Sequence, residues 1–453
     1  MNPVVTLIVG CLLMAACGGS GGSDPGEEAG DSRVTIEWFV GLGTGGQPEQ
    51  FAAQEDVVER FNSSQDDIKV ELTIYDPDLA YDEFRRRIDA GDPPDIVGPI
   101  GIRGANEFSD EFLDLSPFID EETLADYDPE QVAVFEEDGK LTALPFGVFP
   151  SMMFYNRDVF DQAGLPYPPT EFGEEYQGEP WTIDAMTRLA EQLTIDSNGR
   201  NVADPDFDRD QVIQWGFNPQ WLADPRAHGT LFGAGSLVAP DGTAQVPEHW
   251  LAEWEWLRGN VERGVSPNRT EIESALLGED NAFGSGRVAM AFTHLWYASS
   301  IVDENEKELD FWDLAAVPAY EGEVTSKLHA DTFRVVASTD HAEEATTVLR
   351  YLHGEAAPDL LTAYSSFPAR VDQQPAFLDD LAQRFPRVQN WSVINESLTK
   401  PDVPSHESLL PGMPESQDVL DDFEEALRGE AEFDLEASVD DLLGDLDEAF
   451  GSP

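Results

Sequence analysis

Hydrophobic alternation and helical spacing set out the first hundred residues of the folded chain. Val34, Ile36, Trp38 and Val40 recur at every second position, which predicts a strand. A glycine-rich loop, residues 41–46, follows. Pro48 then opens a helix to Phe61 that keeps Phe51, Val58 and Phe61 inward, with proline in the first turn, where its missing N–H has no helical partner. Residues 68–74 alternate again. A second helix from Leu79 to Ala90 stacks Phe84 and Ile88 at i, i+4 and is stopped by Gly91 and Pro93-Pro94 before a short buried strand, Asp95-Ile96-Val97. Strand, helix, strand, helix, strand predicts a parallel sheet covered on both faces, an α/β fold.

The same logic places later elements. Thr182 caps a helix whose Ile183, Met186, Leu189, Ala190 and Leu193 share one face. Residues 341–353 form another, with Ala345, Val348, Leu349 and Leu352 inward. Asp331 stands in a loop before a strand expected over 333–337. Two acidic helices, near 415–428 and 435–450, close the chain, and no internal repeat is visible.

Composition narrows the function. The 453 residues include 90 Asp and Glu against 26 Lys and Arg, a net charge of −64. A phosphate backbone is bound by a basic surface, so nucleic acid is excluded as a partner, as is polybasic attachment to anionic lipid. Ten Trp and 26 Phe oppose a disordered reading of the charge. The basic side is almost all arginine, with lysine only at Lys69, Lys140, Lys307, Lys327 and Lys400. Repulsion on this scale destabilises a compact state unless salt screens it, so a saline, halophilic setting is expected. With so many carboxylates, paired-acid arguments for catalysis carry no weight.

Residues 4–16 are apolar apart from Thr6, and no charge precedes Asp24. Thirteen residues fit the hydrophobic region of a signal peptide and are too few to span a bilayer. The run ends in Leu13-Met14-Ala15-Ala16-Cys17 and resembles a bacterial lipobox, which implies lipidation at Cys17. Met14 and the lack of a preceding basic residue depart from that pattern, and an ordinary cleaved signal is the alternative. Cys11 would be lost with the signal, so no intrachain disulfide is possible in the exported protein. We expect residues 1–17 to be a lipoprotein signal peptide and 18–32 a flexible Gly, Ser and acidic tether.

Several other motifs are weak. Gly41, Gly43 and Gly46 fit G-x-G-x-x-G, but basic support is missing and Glu49 sits at the helix start, so no dinucleotide is expected. The seven histidines show no paired spacing, and neither a metal nor any cofactor is expected. Residues 196–208 faintly resemble a calcium loop whose glycine is misplaced. Asn62, Asn268 and Asn395 fall in glycosylation patterns that carry no meaning in a bacterial lipoprotein.

A larger resemblance spans nearly the whole exported chain. Residues 139–147, then Tyr155-Asn156-Arg157-Asp158 and Ala163-Gly164-Leu165, are similar to the G-K-x-x-x-x-P, Y-N-[KR]-D and A-G-L signature of bacterial extracellular solute-binding proteins of family 1. Its best-known members bind maltose and other sugars for ABC importers. Residues 282–290 match the family's A-F-x-x-G-x-x-A-M, with Trp296 at the tryptophan that follows. The resemblance implies the two-lobe type II periplasmic-binding fold, each lobe a sheet flanked by helices, with hinge closure on a ligand in the cleft between lobes. Crossovers would lie near Gly147-Val148, Pro318–Ser326 and Phe367–Val371. The N-lobe would comprise 33–147 and 323–368, and the C-lobe 148–322 and 369–453. Partners would be a small solute, membrane permease subunits and a lipid anchor, around a monomeric receptor that is not an enzyme.

Sugar recognition needs flat apolar surface and a few oriented polar groups. Trp296 matches the family's stacking tryptophan, with Tyr297 beside it. Phe149 falls where maltose-binding relatives carry a sugar-contacting glutamate, which speaks for a more apolar contact; Ser151 follows in the same segment. Trp221 is chosen from an aromatic group in which Trp215 and Phe217 are assigned to the core. Trp38 ends the first strand, and Gly43, Thr44 and Gln47 offer hydrogen bonds from the loop after it. Asp331 could receive hydroxyls or an ammonium group. Arg103 and Arg370 are assigned to ion pairs with the abundant acids. A sugar or oligosaccharide is the leading ligand, a cationic solute such as a polyamine the alternative, and an extracytoplasmic glycan-processing enzyme a remote third. The charge makes one prediction independent of ligand: the melting temperature rises steeply from low to molar NaCl, and a flat response contradicts the saline reading.

Overall fold

The strand Val34–Val40 lies between two parallel neighbours, pairing in register with Ile68–Ile74 from Val34 opposite Ile68 to Val40 opposite Ile74, and with Ile96–Ile100 through Trp38 opposite Ile96. Parallel neighbours need crossover connections, supplied by the helices Pro48–Ser64 and Pro77–Ala90. Helices on both faces explain why Phe39 is as buried as Ile36, Trp38 and Val40, where alternation alone would have turned it outward. These observations come from a computed structural model that describes residues 33–451 apart from 128–131, 133–134, 138, 223, 304–306, 409 and 414. Cys17, the expected signal peptide and the expected tether all lie outside the described residues. No helix among the described residues is long and apolar enough to cross a membrane.

The chain divides into two compact units. Of the described residues, the first comprises those up to Gly147 with Asp331–Tyr364 and Ala369–Val371; the second comprises those within Val148–Ala330, Ser365–Pro368 and from Asp372 on. In the first, the sheet order is Ile68–Ile74, Val34–Val40, Ile96–Ile100 and then, antiparallel, the later part of the strand Leu328–Val335 with Thr332 opposite Ile100. Phe39, Phe84, Val97, Phe108 and Phe112 form the core on one face. The scarce arginines serve this unit internally: Arg87 forks onto both oxygens of Glu37 at 2.6 and 2.7 Å, and the buried Arg334 lies over the Phe112 ring at 4.8 Å. Arg370 pairs with Asp126 at 2.8 Å and Arg103 lies over the Tyr81 ring at 5.2 Å.

In the second unit, the later part of the strand Leu144–Asn156, from Ser151 on, carries Val288–His294 on one edge and Trp312–Ala315 on the other, both antiparallel. Val288–His294 continues in parallel to Val212–Pro219, which pairs with the short Ile195–Asp196. Helix Ile183–Leu193 starts as expected, with the Thr182 hydroxyl accepting from the Ala185 amide. It lies so close to the sheet that a Cβ on Gly216 would sit 2.1 Å from the Ala190 carbonyl oxygen. Helices Glu415–Arg428 and Leu435–Phe450 pack on Glu248–Arg263 through Trp250, Trp254, Leu420, Phe423 and Leu446.

An ion network sits in that helical layer. The His228 ring bonds Glu253 at 2.6 Å through Nδ1 and Glu424 at 2.9 Å through Nε2, with all three buried. Burial opposes the charge on His228, but the two carboxylates outweigh it and raise its pKa to about 10. Relative to an unfolded value of about 6.5, the stabilisation is complete below that pH and is lost as pH rises through the folded value. His228→Asn strands two buried acids, at a cost of about 3–5 kcal/mol near neutral pH. In urea unfolding at fixed NaCl, the gap between wild type and variant shrinks from pH 7 to 10; a gap independent of pH contradicts this account.

Candidate functional site

Each unit carries one group of the residues singled out from the sequence. In the first, the loop after Val40 is built around glycines that tolerate no side chain. Gly41 has φ +139°, and a Cβ there would meet Ala80 and the Tyr75 carbonyl at 2.8 Å. Gln50 accepts from the amides of Gly45 and Gln47, and Gln54 donates to the Gly45 carbonyl at 2.8 Å. The amides of Gly45 and Gln47 are thereby used inside the protein. Thr44 donates both its amide (2.9 Å) and its hydroxyl (2.6 Å) to one oxygen of Asp331. A Cβ on Gly43 would lie 2.8 Å from the Pro99 carbonyl and 3.1 Å from the same Asp331 oxygen. Gly43, Thr44 and Asp331 therefore come together. Asp331 lies within the strand Leu328–Val335, not in a loop before it, because that strand starts earlier than alternation suggested.

Trp38 is placed differently. It is fully buried, its indole N–H donates to the Gly98 carbonyl at 2.6 Å, and its ring stands edge-on to Phe333 at 5.7 Å. Both the ring and the polar atom are spent inside the first unit.

The second unit holds the aromatic group. Trp221 and Trp296 stack with centroids 5.7 Å apart and planes 10° from parallel, and His294 continues the stack from Trp296 at 6.0 Å and 16°. Trp221 is 37% exposed, and Trp296 is half-buried. Tyr297 is fully buried and stands perpendicular to Trp221 at 4.9 Å, with its hydroxyl on Asn281 and accepting from the Gly284 amide. It braces the pair from beneath and presents no free face. Trp221 holds its position with φ +53°, costly for a bulky residue, and its N–H donates to the carbonyl of Asp280, which also has positive φ. Local strain of this kind concentrates where a side chain must be held in a set orientation. A pocket of about 350 Å³ adjoins Trp221 and is lined also by Asn218, Gln220, Arg269, Asp280 and Arg428. Trp215 and Phe217 are core.

Phe149 and Ser151 are buried, and they act through their backbones. The Phe149 carbonyl accepts from His294 Nδ1 at 2.6 Å; the Ser151 amide donates to Lys327 (2.7 Å) and its carbonyl accepts from the Ser326 hydroxyl (2.6 Å).

Sequence spacing missed what lies beside them. His294, His329 and His406 are far apart in the chain, yet the His329 ring centroid lies 4.2 Å from that of His294 and 5.1 Å from that of His406. His329 also faces Glu407 at 3.0 Å. Burial alone would raise the Glu407 carboxyl, but His329 and its neighbours hold it at about 2; burial brings Lys327 down to about 8 and keeps His294 neutral. The Asp402–His406 contact at i, i+4 was the available signal. The calcium-like loop has a simpler explanation: Asp196 spends both oxygens on backbone amides of Asn198, Arg200 and Asp208.

The sequence profile of the bacterial extracellular solute-binding proteins matches residues 45–357, more than half of the chain. The chain belongs to this family. A lipoprotein encoded in the oleD 5′ region of Streptomyces antibioticus is 24% identical over 359 residues, covering 78% of this chain and 73% of that one. Among solved structures, UspC of M. tuberculosis is similar at a TM-score of 0.68, with 19% identity over 92% of this chain and all of that one. The substrate-binding protein Lmo0181 of Listeria monocytogenes, in complex with cycloalternan, reaches 0.67, with 18% identity over 93% of this chain and all of that one. The α/β units are those of a type II periplasmic-binding fold. The family is one of solute-binding proteins.

Proposed function

We propose that this protein is the extracytoplasmic solute-binding component of an ABC importer, tethered by lipid at Cys17, and that its solute is a sugar or oligosaccharide. The observation that carries the reading is the near-parallel, partly exposed Trp221–Trp296 pair. Flat indole faces take up the C–H faces of pyranose rings, and nearby polar groups orient hydroxyls. Structures of the same fold hold cycloalternan in one case and mannotriose in another, which supports a carbohydrate. Lipid anchoring is supported by the motif ending at Cys17 and by the lipoprotein relative. Capture as a monomer by hinge closure, and hand-over to permease subunits, are part of the proposal, with family membership in support.

A second reading has its own support. The −64 charge draws in cations, and Asp331 is a carboxylate of the kind that receives an ammonium group, so a polyamine-like solute is the competitor. A thermal-shift screen in high salt against sugars, polyols, polyamines and amino acids separates the two. A ligand at a hundred times its Kd adds about 2.7 kcal/mol of stability. We expect a shift with one class of sugar. A response to amines alone overturns the sugar assignment, and turnover of a glycan overturns the binding class.

A further inference from the structure

The histidine cluster of the second unit is built more closely than the recognition of a neutral solute requires. His329 lies near the start of the strand Leu328–Val335. His406 and Glu407 occupy a turn closed by the Ser408 amide on the Ser405 carbonyl at 3.0 Å. One donor atom from each of His329, His406 and Glu407 lies within 4.8 Å of the other two. These are two imidazole nitrogens and one carboxylate oxygen, converging from segments far apart in sequence.

The orientation of His406 is fixed from behind. Its Nδ1 lies 2.6 Å from Asp402 Oδ2 and donates to that carboxylate, which leaves the lone pair on Nε2. Asp402 is itself held, since Oδ2 also accepts the His406 amide at 2.9 Å and Oδ1 accepts the Leu328 amide at 2.8 Å. His406 is only 3% exposed, and its Nε2 has no hydrogen-bond partner among the described residues. His294, whose ring stands against His329, repeats the arrangement: Nδ1 bonds the Phe149 carbonyl, and the buried Nε2 has no hydrogen-bond partner among the described residues. A plain ion pair accounts for His329 and Glu407. It does not account for buried imidazole lone pairs whose opposite nitrogens are anchored to oxygen, which is the pattern seen behind metal-bound histidines.

We propose that His329, His406 and Glu407 form a binding site for a divalent transition cation of the zinc type, with Asp402 orienting His406 and one coordination position left to water. Two imidazoles and a carboxylate suit zinc, cobalt or nickel and not calcium or magnesium, which take oxygen donors. The buried ammonium of Lys327 opposes a dication here, and the carboxylates of Glu407, Asp402 and Asp224 act against it. The site is separate from the sugar reading. It requires only the second unit's own side chains.

The test uses tag-free, chelator-treated protein in high salt, where the many surface carboxylates are screened. Calorimetric titration with ZnCl2 is expected to show one tight equivalent, and CoCl2 a visible absorption band that zinc displaces. His329→Ala, at a partly exposed ring, is expected to weaken zinc at least a hundredfold in a metal-free protein that still unfolds cooperatively in urea, less stable for the loss of the Glu407 partner, and Glu407→Gln to weaken it by about ten- to a hundredfold. His406→Ala should abolish the cobalt band; where that variant fails to fold, His329→Ala decides. Absence of a saturable tight phase in the wild type, or one that survives His329→Ala in a folded protein, overturns the proposal and leaves an ion-pair cluster only.

Discussion

The strand Leu144–Asn156 is buried at every one of its 13 residues, and a buried backbone must find partners for all its amides and carbonyls. Its second half meets that demand by pairing on both edges, with Val288–His294 and Trp312–Ala315. The candidate site follows from this pairing. Register sets His294 opposite Ser151, and the His294 ring closes onto the Phe149 carbonyl two residues back. That hydrogen bond fixes where the strand ends and hence where Trp296 emerges. Trp221 stacks on it from the end of the neighbouring parallel strand. The exposed aromatic surface is thus held by groups that are themselves out of contact with water.

This explains which parts of the molecule were legible in the sequence. Helices with a single apolar face, such as Ile183–Leu193 and the two C-terminal helices, show their period and caps locally and were found with their bounds. The Gly41–Gly46 loop was placed correctly at a strand end because glycine at such a turn reports backbone demands that act within a few residues. Trp38 and Phe39 show the limit: in a parallel strand covered on both faces, successive residues are equally buried, so alternation cannot tell an inward from an outward side chain. Tyr297, adjacent to Trp296, looked like a second ligand contact, whereas its hydroxyl is spent on Asn281 and Gly284. The strand around Asp331 began earlier than expected because Leu328 is held by Asp402, 74 residues away in sequence.

The histidine cluster was illegible for the same reason. His294, His329 and His406 come from a strand end, a strand start and a turn, and no spacing rule links them. The resemblance pointed to Trp296 and the sequence to Trp221, and the structure stacks the two rings on each other. The acid excess adds a second layer. Several of the scarce cations are drawn into interior contacts: Arg87 on Glu37, Arg334 over Phe112, His228 between Glu253 and Glu424.

The central claim is that the Trp221–Trp296 face receives the solute. It is tested most directly by titrating tryptophan fluorescence with the sugar that stabilises the protein, in the wild type and in Trp296→Leu. The account predicts a saturable spectral change in the wild type. In a folded Trp296→Leu protein it predicts that most of the amplitude is lost and that the Kd weakens by about tenfold or more, the loss of a full aromatic stacking surface. Wild-type affinity in the folded variant would contradict it.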